Sequence, residues 1–445
     1  MSYPKTPSVL EIREEDLCLA TDLYQLTMAA GYHSLGEIPR GTFELFVRSL
    51  PADRKFLVFA GLEQALEAVE KLRFAPAQLA YLRDLPQFRH IGESFFDELR
   101  RFRFRGEIRA MAEGTVFFPW EPVLQVTGTL LEAQILETLL LTILNFQTAV
   151  ASKAARMRLV AGKGVSLAEF GGRRAHGPQA ASWVARAAYL AGFDSTSNLL
   201  AGSRLGIPVV GTMAHSYVLA FDREEDAFSH YQHLFPDHTI HLVDTYDTLE
   251  GVRKAIATGR PFQAVRLDSG NLLELSRGAR AILDAAGLEG VQVFASGDLD
   301  EYRIEELLEA RAAIDAYGIG TRLAAVSDAP YLSGVYKLVE VEKDGRRLPK
   351  AKASTGKRSH PWRKQVLRQL SQGRFFRDRV VRAESSAGNA GQGLLQPVLA
   401  DGRRLEAPPL ELSRAHCRSQ LEALPDRLRV LEGSGRGAHP VEIDL

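Results

Sequence analysis

Residues 166–221 read SLAEFGGRRAHGPQAASWVARAAYLAGFDSTSNLLAGSRLGIPVVGTMAHSYVLAF, and this stretch decides the fold. It opens with a short apolar run at 166–170 that is typical of a buried strand, and a glycine-containing turn follows. A helix is predicted over 178–191, because proline stands in its first turn and Gly192 lies just past its end. A second strand at 207–210 leads directly into the turn GTMAHS. Strand, turn and helix in this order form the unit of a parallel α/β fold.

The same unit repeats along the chain to about residue 341. Each apolar strand is followed by a polar or glycine-containing turn and then by a helix. Strands are predicted at 165–169, 208–210, 239–243, 263–267, 291–295 and 313–317, and the turns after them are FGGRR, GTMAHS, DTYD, DSGN, SGD and GIGT. This alternation predicts parallel strands joined by crossover helices. The predicted fold class is therefore α/β, an irregular or incomplete (β/α) barrel.

The regions on either side of the repeat have different patterns. Before it, helices are predicted at 22–33 and 57–72, and alternating segments at 42–48 and 101–112 predict an antiparallel sheet. After it the chain is charged and irregular, with a last helix near 410–423. We therefore predict an N-terminal α+β domain over 1–130, the barrel-like catalytic domain over 131–341, and a C-terminal region over 342–445 that packs on the other two.

Composition excludes several classes of protein. The 445 residues include 55 basic and 55 acidic side chains, so no global charge points to nucleic acid or to an anionic membrane. The only cysteines, Cys18 and Cys417, support neither a disulfide framework nor a cysteine zinc site. The most apolar window, 129–150, is interrupted by polar residues such as Glu132 and Glu137, and the N-terminus lacks a signal-peptide pattern. A cytoplasmic protein is expected.

The turns after the predicted strands carry the residues of chemical interest. In a parallel α/β fold these turns lie at the carboxyl ends of the strands, so they are expected to meet at one mouth. The residues placed there are Arg173, His215, Asp244, Asp268, Asp298 and Gly320. A barrel with a purely structural role has no reason to place them at equivalent positions.

His215 is the sharpest catalytic candidate. It stands in the turn GTMAHS, and Asp244 follows the next predicted strand. A carboxylate can orient one ring nitrogen of a histidine and leave the other free to act as nucleophile or base. The alternative is an ordinary hydrogen-bonded histidine, which a lone histidine more often is.

Two groups of arginines are candidates for binding an anion. Arg266 precedes Asp268 by two residues in one strand, so the two side chains project to the same side. The arginine could fork onto a carboxylate or phosphate, or it could pair with its own neighbours. Arg173 and Arg174 follow Phe170, and an aromatic plane beside cations suits a flat, negatively charged pyridine carboxylate. A core phenylalanine with surface arginines is equally compatible.

Carboxylates and glycines in the later turns suit a phosphorylated sugar. Asp268 and Asp298 could accept ribose hydroxyls or hold magnesium through water, and the alternative for each is a helix N-cap. Gly318, Gly320 and Thr321 in YGIGT can offer backbone N–H groups to a phosphate. Four nearby histidines lack the cysteine or carboxylate that would complete a metal site, so exposed positions are predicted for His230, His233, His238 and His241.

The motifs EFGGRRAHG, GFDSTSNLLAG, GIPVVGTMAHS and VRLDSGN resemble those of the nicotinate phosphoribosyltransferase family, and the resemblance covers most of the chain. It implies transfer of 5-phosphoribosyl from phosphoribosyl pyrophosphate to nicotinate, which gives nicotinate mononucleotide and diphosphate in NAD salvage. The resemblance further implies that the transfer is coupled to ATP, uses Mg²⁺ and is classed with the C–N bond-forming ligases. The resemblance also implies a homodimer with shared active sites.

The resemblance assigns roles to individual residues. It implies that ATP phosphorylates His215, that Asp244 orients it, and that Asp268 and Asp298 contact ribose or magnesium. Phe170 corresponds to one of the two aromatics that sandwich the pyridine ring. Tyr24, supplied by the second subunit, corresponds to the other. The further candidate positions for substrate binding are Arg173, Arg174, Ser197, Thr212, Arg266, Ser296, Gly297, Gly318, Gly320 and Thr321.

Alternatives remain open at this stage. Asn271 in RLDSGN is a feature shared with nicotinamide enzymes, whereas Ala214 in GTMAHS and the motif TDLYQLTMA favour nicotinate. Nicotinamide or quinolinate is therefore the alternative substrate. A phosphosugar-binding aldolase or isomerase barrel would share the phosphate turns, but no Schiff-base lysine stands at a strand end. The density of polar turns argues against a non-catalytic binding protein.

Overall fold

The computed structural model describes residues 12–354, 357–385, 390–431 and 439–445. The strands in chain order are β1 Arg40–Val47, β2 Leu57–Val58, β3 Glu107–Ala110, β4 Val116–Phe117, β5 Leu124–Thr129, β6 Ser166–Glu169, β7 Ser195–Thr196, β8 Ile240–Leu242, β9 Ala264–Leu267, β10 Gln292–Ala295, β11 Ala316–Ile319, β12 Gly334–Lys343, β13 Arg346–Pro349, β14 Lys364–Ser371, β15 Arg374–Arg382, β16 Gln392–Gly393, β17 Gln396–Ala400, β18 Arg403–Arg404 and β19 Val441–Asp444. The α-helices are α1 Leu23–His33, α2 Leu62–Lys71, α3 Pro76–Asp84, α4 Glu93–Arg100, α5 Leu130–Ile135, α6 Glu137–Ala161, α7 Pro178–Leu190, α8 Leu199–Leu205, α9 His215–Val218, α10 Glu224–Leu234, α11 Thr248–Ala257, α12 Leu272–Ala285, α13 Glu301–Glu309, α14 Thr321–Ala324, α15 Leu410–Glu422 and α16 Asp426–Arg429.

The central sheet is parallel and has the strand order of a barrel. Its order is β7-β6-β11-β10-β9-β8, so the first strand of the repeat pairs with the last. Val209 adds a single parallel bridge to Thr196. Between Val209 and β8 no pairing is found in the described residues, so the barrel is incomplete. The predicted fold class, an incomplete (β/α) barrel with an N-terminal α+β part, is confirmed.

A second, antiparallel sheet joins segments from distant parts of the chain. Its order is β13-β12-β1-β5-β3-β17-β18, and β12 runs against the whole of β1. A third sheet has the order β16-β14-β15-β19. Strands from before residue 130 and from after residue 333 therefore share one sheet. The domain boundaries at residues 130 and 341 stay predictions.

Several predicted elements differ from the structure. The strand predicted at 207–210 is reduced to the bridge at Val209, and of the alternating segment 101–112 only Glu107–Ala110 is a strand. The helix predicted over 57–72 begins only at Leu62, because the fully buried Leu57 and Val58 form β2 and Gly61 turns the chain at φ 97°. An apolar run too short for an amphipathic period fits either state. The strand predicted at 313–317 lies about three residues further along as β11, because Ala316 is the residue that pairs with Phe294 of β10. Gly318 is therefore in the strand rather than in the turn.

The inside of the barrel is filled by alanine, isoleucine and phenylalanine side chains. Ala168, Ile240, Ala264, Phe294 and Ala316 pack together as one buried cluster. Residues two apart in a strand share a face, so this inward face continues at the carboxyl ends of the strands. The positions that continue it are Phe170, Arg266, Ser296 and Gly318. The barrel core is thus the floor of the mouth predicted from the turns.

None of the helices in the described part of the chain is long and apolar enough to cross a bilayer.

Candidate active site

Arg266 lies at the centre of the mouth. From the end of β9 its guanidinium donates hydrogen bonds to Ser296 Oγ at 2.8 Å, to Thr212 Oγ1 at 2.9 Å and to Asp268 Oδ1 at 2.7 Å. These partners come from three different strand-end segments. The planar fork of arginine holds several acceptors in fixed directions. The side chain therefore fixes the relative positions of three turns.

Asp268 is held in its ionised form. Burial alone would raise the pKa of its carboxyl group, but the hydrogen bond from Ser296 and the charge of Arg266 outweigh burial and lower the pKa below its usual value. Its backbone N–H donates to Asp244 Oδ2 at 3.1 Å. Asp268 thus joins the arginine centre to the aspartate of the neighbouring turn.

His215 and Asp244 form the pair expected from their positions. The imidazole Nε2 lies 3.1 Å from Asp244 Oδ1, and the carboxylate side chain is 1% exposed whereas the histidine is 40% exposed. The other carboxylate oxygen accepts from Ser269 Oγ at 2.6 Å. With the carboxylate as acceptor, Nε2 is the donor of this hydrogen bond. Nδ1 makes no hydrogen bond in the described chain and is left for chemistry.

Phe170 provides a flat surface beside this charge. Its ring stacks on Phe294 at 5.6 Å between centroids, and the guanidinium carbon of Arg266 lies 5.6 Å from its centroid. A Cβ on Gly318 would come within 2.8 Å of both phenylalanine rings. A side chain at Gly318 would therefore displace Phe170. The glycine matters for packing under the aromatic surface, besides any contact with phosphate.

The SGD turn approaches the mouth by its backbone. Gly297 has φ 97° and Asp298 has φ 47°. A Cβ on Gly297 would lie 2.2 Å from the carbonyl oxygen of Asp268, so only glycine fits. The Asp298 side chain is exposed and accepts no hydrogen bond from the described residues. Gly320 and Thr321 begin the short helix α14 at the end of the adjacent strand.

Four predicted positions lie apart from the arginine and histidine centres. Arg173 and Arg174 are exposed in the single turn Gly172–Arg174, and no described side chain pairs with them. Ser197 is exposed, and its N–H donates to the carbonyl oxygen of Glu169. Tyr24 on α1 is 49% exposed and makes no ring contact with Phe170 in the described chain. The structure brings Thr212, His215, Asp244, Arg266, Asp268 and Ser296 together, and it leaves Tyr24 outside.

Glu169 and Ser269 are site residues that the sequence reading missed. Glu169 is fully buried at the end of β6, where it accepts from Thr196 Oγ1 at 2.6 Å and from the N–H of Gly171. Burial raises the pKa of this carboxyl group. It ties the turn that carries Phe170 to the turn that carries Ser197. An acidic residue at the end of a buried strand was the available signal.

The histidine-rich segment is not a metal site in the described residues. No group of three or more His, Cys, Asp or Glu side chains is placed there or elsewhere in the described ranges to hold a metal ion. His230, His233 and His238 are exposed, as predicted. The prediction is wrong for His241, which is fully buried between Phe228 and Phe262 because β8 turns it towards the surrounding helices.

A barrel whose mouth combines a forked arginine, an aromatic surface and a carboxylate-held histidine defines an α/β-barrel enzyme of anionic substrates. The profile of the nicotinate phosphoribosyltransferase (NAPRTase) N-terminal domain matches residues 19–145, and that of the NAPRTase family matches residues 165–380. The chain is 45% identical over 442 residues to nicotinate phosphoribosyltransferase pncB2 of Mycobacterium tuberculosis, covering 98% of this chain and 93% of that protein. The chain therefore belongs to the nicotinate phosphoribosyltransferase family.

Further similar proteins and structures are consistent with membership of this family. Nicotinate phosphoribosyltransferase of Bacillus subtilis is 44% identical over 370 residues, which cover 81% of this chain and 74% of that protein. The crystal structure of human nicotinic acid phosphoribosyltransferase superposes with a TM-score of 0.83 at 30% identity, covering 95% of this chain and 97% of the human chain. The structure of nicotinate-nucleotide pyrophosphorylase from Pyrococcus furiosus gives a TM-score of 0.76 at 26% identity, covering 94% and 99% of the two chains.

Proposed function

We propose that the chain transfers 5-phosphoribosyl from phosphoribosyl pyrophosphate to nicotinate, giving nicotinate mononucleotide and diphosphate in NAD salvage. The ring nitrogen of nicotinate forms a bond to C1 of the ribose as the bond from that carbon to the diphosphate oxygen breaks. The observation that carries the proposal is the guanidinium of Arg266, held beside Phe170 and Asp268 at the mouth of the barrel. Membership of the family and the names of its relatives support the same reaction.

Nicotinate is proposed to lie on Phe170 with its carboxylate towards a cation. Arg266 is the candidate nearest the ring, and Arg173 and Arg174 follow Phe170 in the next turn. A guanidinium binds a carboxylate through two parallel hydrogen bonds, which nicotinamide cannot accept in the same way. This charge preference favours nicotinate over nicotinamide.

The phosphoribosyl donor is proposed to bind across the later turns. Asp268 is ionised and would accept hydrogen bonds from the ribose hydroxyls. Its negative charge would also stabilise the positive charge that develops on the sugar. Magnesium fits the donors at this end, because it is commonly held by one or two carboxylates together with substrate phosphates, and Asp298 is exposed. When bound, the ion would neutralise the departing diphosphate. Gly297, Gly320 and Thr321 would approach the phosphates by their backbone.

ATP is proposed to phosphorylate His215 before or during the transfer. Asp244 holds Nε2, so Nδ1 would attack the terminal phosphorus of ATP and ADP would leave. The phosphohistidine is hydrolysed later in the cycle, which couples ATP consumption to synthesis. Ser269 and the N–H of Asp268 keep Asp244 in place through its second oxygen.

The active unit is proposed to be a cytoplasmic homodimer. Tyr24 and Leu23 are large side chains left exposed on α1, and Tyr24 makes no ring contact with Phe170 within the described chain. A second copy could bring its tyrosine onto the open face of the nicotinate ring. Both cysteines are buried and free, which suits a reducing compartment.

Substrate choice tests the proposal directly. Purified protein would be given phosphoribosyl pyrophosphate and Mg²⁺ with nicotinate, nicotinamide or quinolinate, each with and without ATP. We expect mononucleotide to form fastest from nicotinate, with ADP appearing when ATP is present. Preference for either other pyridine would overturn the assignment. His215→Ala should abolish the ATP stimulation and retain weak transfer, and full ATP coupling in that variant would rule out the phosphohistidine.

A further inference from the structure

A second cavity lies at the opposite end of the barrel from the proposed active site. Its volume is about 400 Å³, and α6, α7 and α15 form its walls beside the starts of β6 and β7. This volume is within the range of small-molecule sites. The lining residues are Arg158, Leu159, Gly162, Lys163, Leu190, Ala191, Gly192, Asp194, Glu411, Arg414, Ala415, Arg418, Leu421, Glu422 and Arg429.

Five cationic and three acidic side chains line the cavity, which leaves an excess of two positive charges. The inner part is internally paired. Asp194 accepts from Arg158 at 2.6 Å and from Arg414 at 3.2 Å, and Glu411 accepts from the hydroxyl of Tyr189 at 2.5 Å. Arg158 also donates to three backbone carbonyls. These two arginines are therefore committed to holding the loops that begin the strands.

The outer part contains one ion pair and two further guanidinium groups. Lys163 lies 2.8 Å from Glu422, whose pKa is lowered first by that hydrogen bond and further by the charges of Arg418 and Arg429. No described residue offers either of these guanidinium groups a hydrogen bond or an ion pair. Three cations thus surround one exposed carboxylate, and the guanidinium groups of Arg418 and Arg429 remain available to an anion.

Apolar groups lie next to these charges. Leu159, Leu190, Ala191 and Leu421 supply hydrophobic wall, so the cavity suits a ligand with an organic body as well as a charge. Two excess positive charges match the dianion of a phosphate monoester. Arginine forks bind phosphate oxygens in pairs.

We propose that this cavity is a second binding site, for a small phosphate monoester such as a nucleoside monophosphate, with Arg418 and Arg429 as its phosphate ligands. The site is separate from the mouth, because the lining residues Lys163 and Asp194 precede β6 and β7, whereas Phe170 and Ser197 follow the ends of these strands. The two places are connected through these strands, and Asp194 also accepts the N–H of Leu167 in β6 at 2.9 Å. The proposal does not depend on the reaction at the mouth.

Calorimetry with AMP as the probe tests the proposal. The titration would use the Arg266→Ala protein, in which the mouth has lost its central cation. We expect AMP to bind with one equivalent per chain and the added pair Arg418→Ala and Arg429→Ala to weaken binding by about tenfold or more, because charge-assisted hydrogen bonds to phosphate are strong. The matched pair Arg89→Ala and Arg101→Ala removes two exposed arginines elsewhere and should leave the affinity unchanged.

A variant that fills the cavity with a larger side chain provides a second test of AMP binding if the double arginine substitution impairs folding. Ala415 lies on α15 in the cavity wall and is exposed, so Ala415→Trp should fill the cavity without altering its charge. We expect it to remove AMP binding while the thermal unfolding midpoint stays close to that of its parent. AMP binding that survives Ala415→Trp, or that is absent in the Arg266→Ala protein with its cavity intact, would refute the site.

Discussion

Arg266 holds the mouth together through directed hydrogen bonds, so its shape matters as much as its charge. Arg266→Lys keeps the positive charge but cannot reach Ser296, Thr212 and Asp268 at once. We expect kcat/KM for nicotinate to fall by about 100-fold or more, since the substrate loses a preorganised fork. Steady-state kinetics measure this. Arg101→Lys on the surface is the control, and a loss of less than about threefold at Arg266 would show that charge alone suffices.

His241 should make folding stability depend on pH. Burial without a hydrogen-bond partner in the described chain lowers its pKa from 6.5 to about 4. As pH falls, His241 takes up a proton in the unfolded state before it does so in the folded state. The contribution of neutral His241 to folding stability is therefore complete above its pKa in the unfolded state, and it is lost as pH falls towards its pKa in the folded state. Each pKa unit corresponds to about 1.4 kcal/mol, so the loss between about pH 7 and about pH 5 is about 2 kcal/mol.

His241→Phe removes this dependence, because a phenyl ring fits between Phe228 and Phe262 and does not titrate. Urea unfolding of the variant at the two pH values should show a smaller decrease in free energy than the wild type, by about 2 kcal/mol. His238→Phe changes an exposed histidine and should behave like the wild type. Equal pH dependence in all three proteins would contradict the buried, neutral state of His241.

The sequence predicted site residues that belong to a recognisable strand-end motif and missed residues whose role depends on a distant partner. His215 and Asp244 were found because each follows an apolar strand, and the structure places them 3.1 Å apart. Glu169 was missed because its partner Thr196 lies 27 residues away and no local pattern announces the contact. Histidine is a polar residue, so exposure was predicted for His241. The sequence does not show which face of β8 meets the helices.

Helices α6 and α13 are joined by a buried ion cluster close to the site. Lys153 Nζ lies 2.7 Å from Glu301 Oε2 and 2.7 Å from Asp328 Oδ1. Arg54 contacts both acids, and Arg156 contacts Glu301. Glu301 begins α13, and two residues separate it from the end of the SGD turn. The charges of Arg54 and Lys153 outweigh burial and hold the pKa of Asp328 well below its usual range. The cluster therefore fixes the start of α13, three residues after Asp298.

Lys153→Met should destabilise the protein by about 3–5 kcal/mol, because it leaves buried carboxylates with too few partners. Thermal and urea unfolding measure the change. Lys71→Met removes an exposed lysine that pairs with Glu67 and should cost less than about 1 kcal/mol. Similar small losses for both variants would mean that Arg54 and Arg156 satisfy Glu301 and Asp328 without Lys153.

Strands that belong to the repeated strand, turn and helix unit were predictable, and an isolated strand such as β2 was not. The strands of the barrel repeat have an apolar run and a turn each, so five of the six predicted strands fall on β6, β8, β9, β10 and β11, with β11 displaced. Leu57 and Val58 belong to an apolar run that fits a helix or a strand, and only their pairing with β4 decides between the two. The length of an apolar run and the strand with which it pairs, not its composition, decide whether it forms a helix or a strand.

The antiparallel sheet depends on contacts that span almost the whole chain. Gly334–Lys343 pairs with Arg40–Val47, and Gln396–Ala400 pairs with Glu107–Ala110. Such pairings leave no local pattern in the sequence, so the C-terminal region was read as irregular. The motifs still identified the family, because they lie in the barrel turns rather than in this sheet.

The proposed shared active site predicts complementation between two inactive chains. Tyr24→Ala would remove the aromatic ring that the chain contributes to the active site of the second subunit. Arg266→Ala would remove the central arginine of the active site in the same chain. In a mixed dimer one of the two sites contains both intact residues, so random mixing should restore about a quarter of the wild-type activity. The mixture would be made by unfolding and refolding the two variants together, and activity would be compared with that of each variant refolded alone. No recovery, with dimers confirmed by light scattering, would place Tyr24 outside the partner's site.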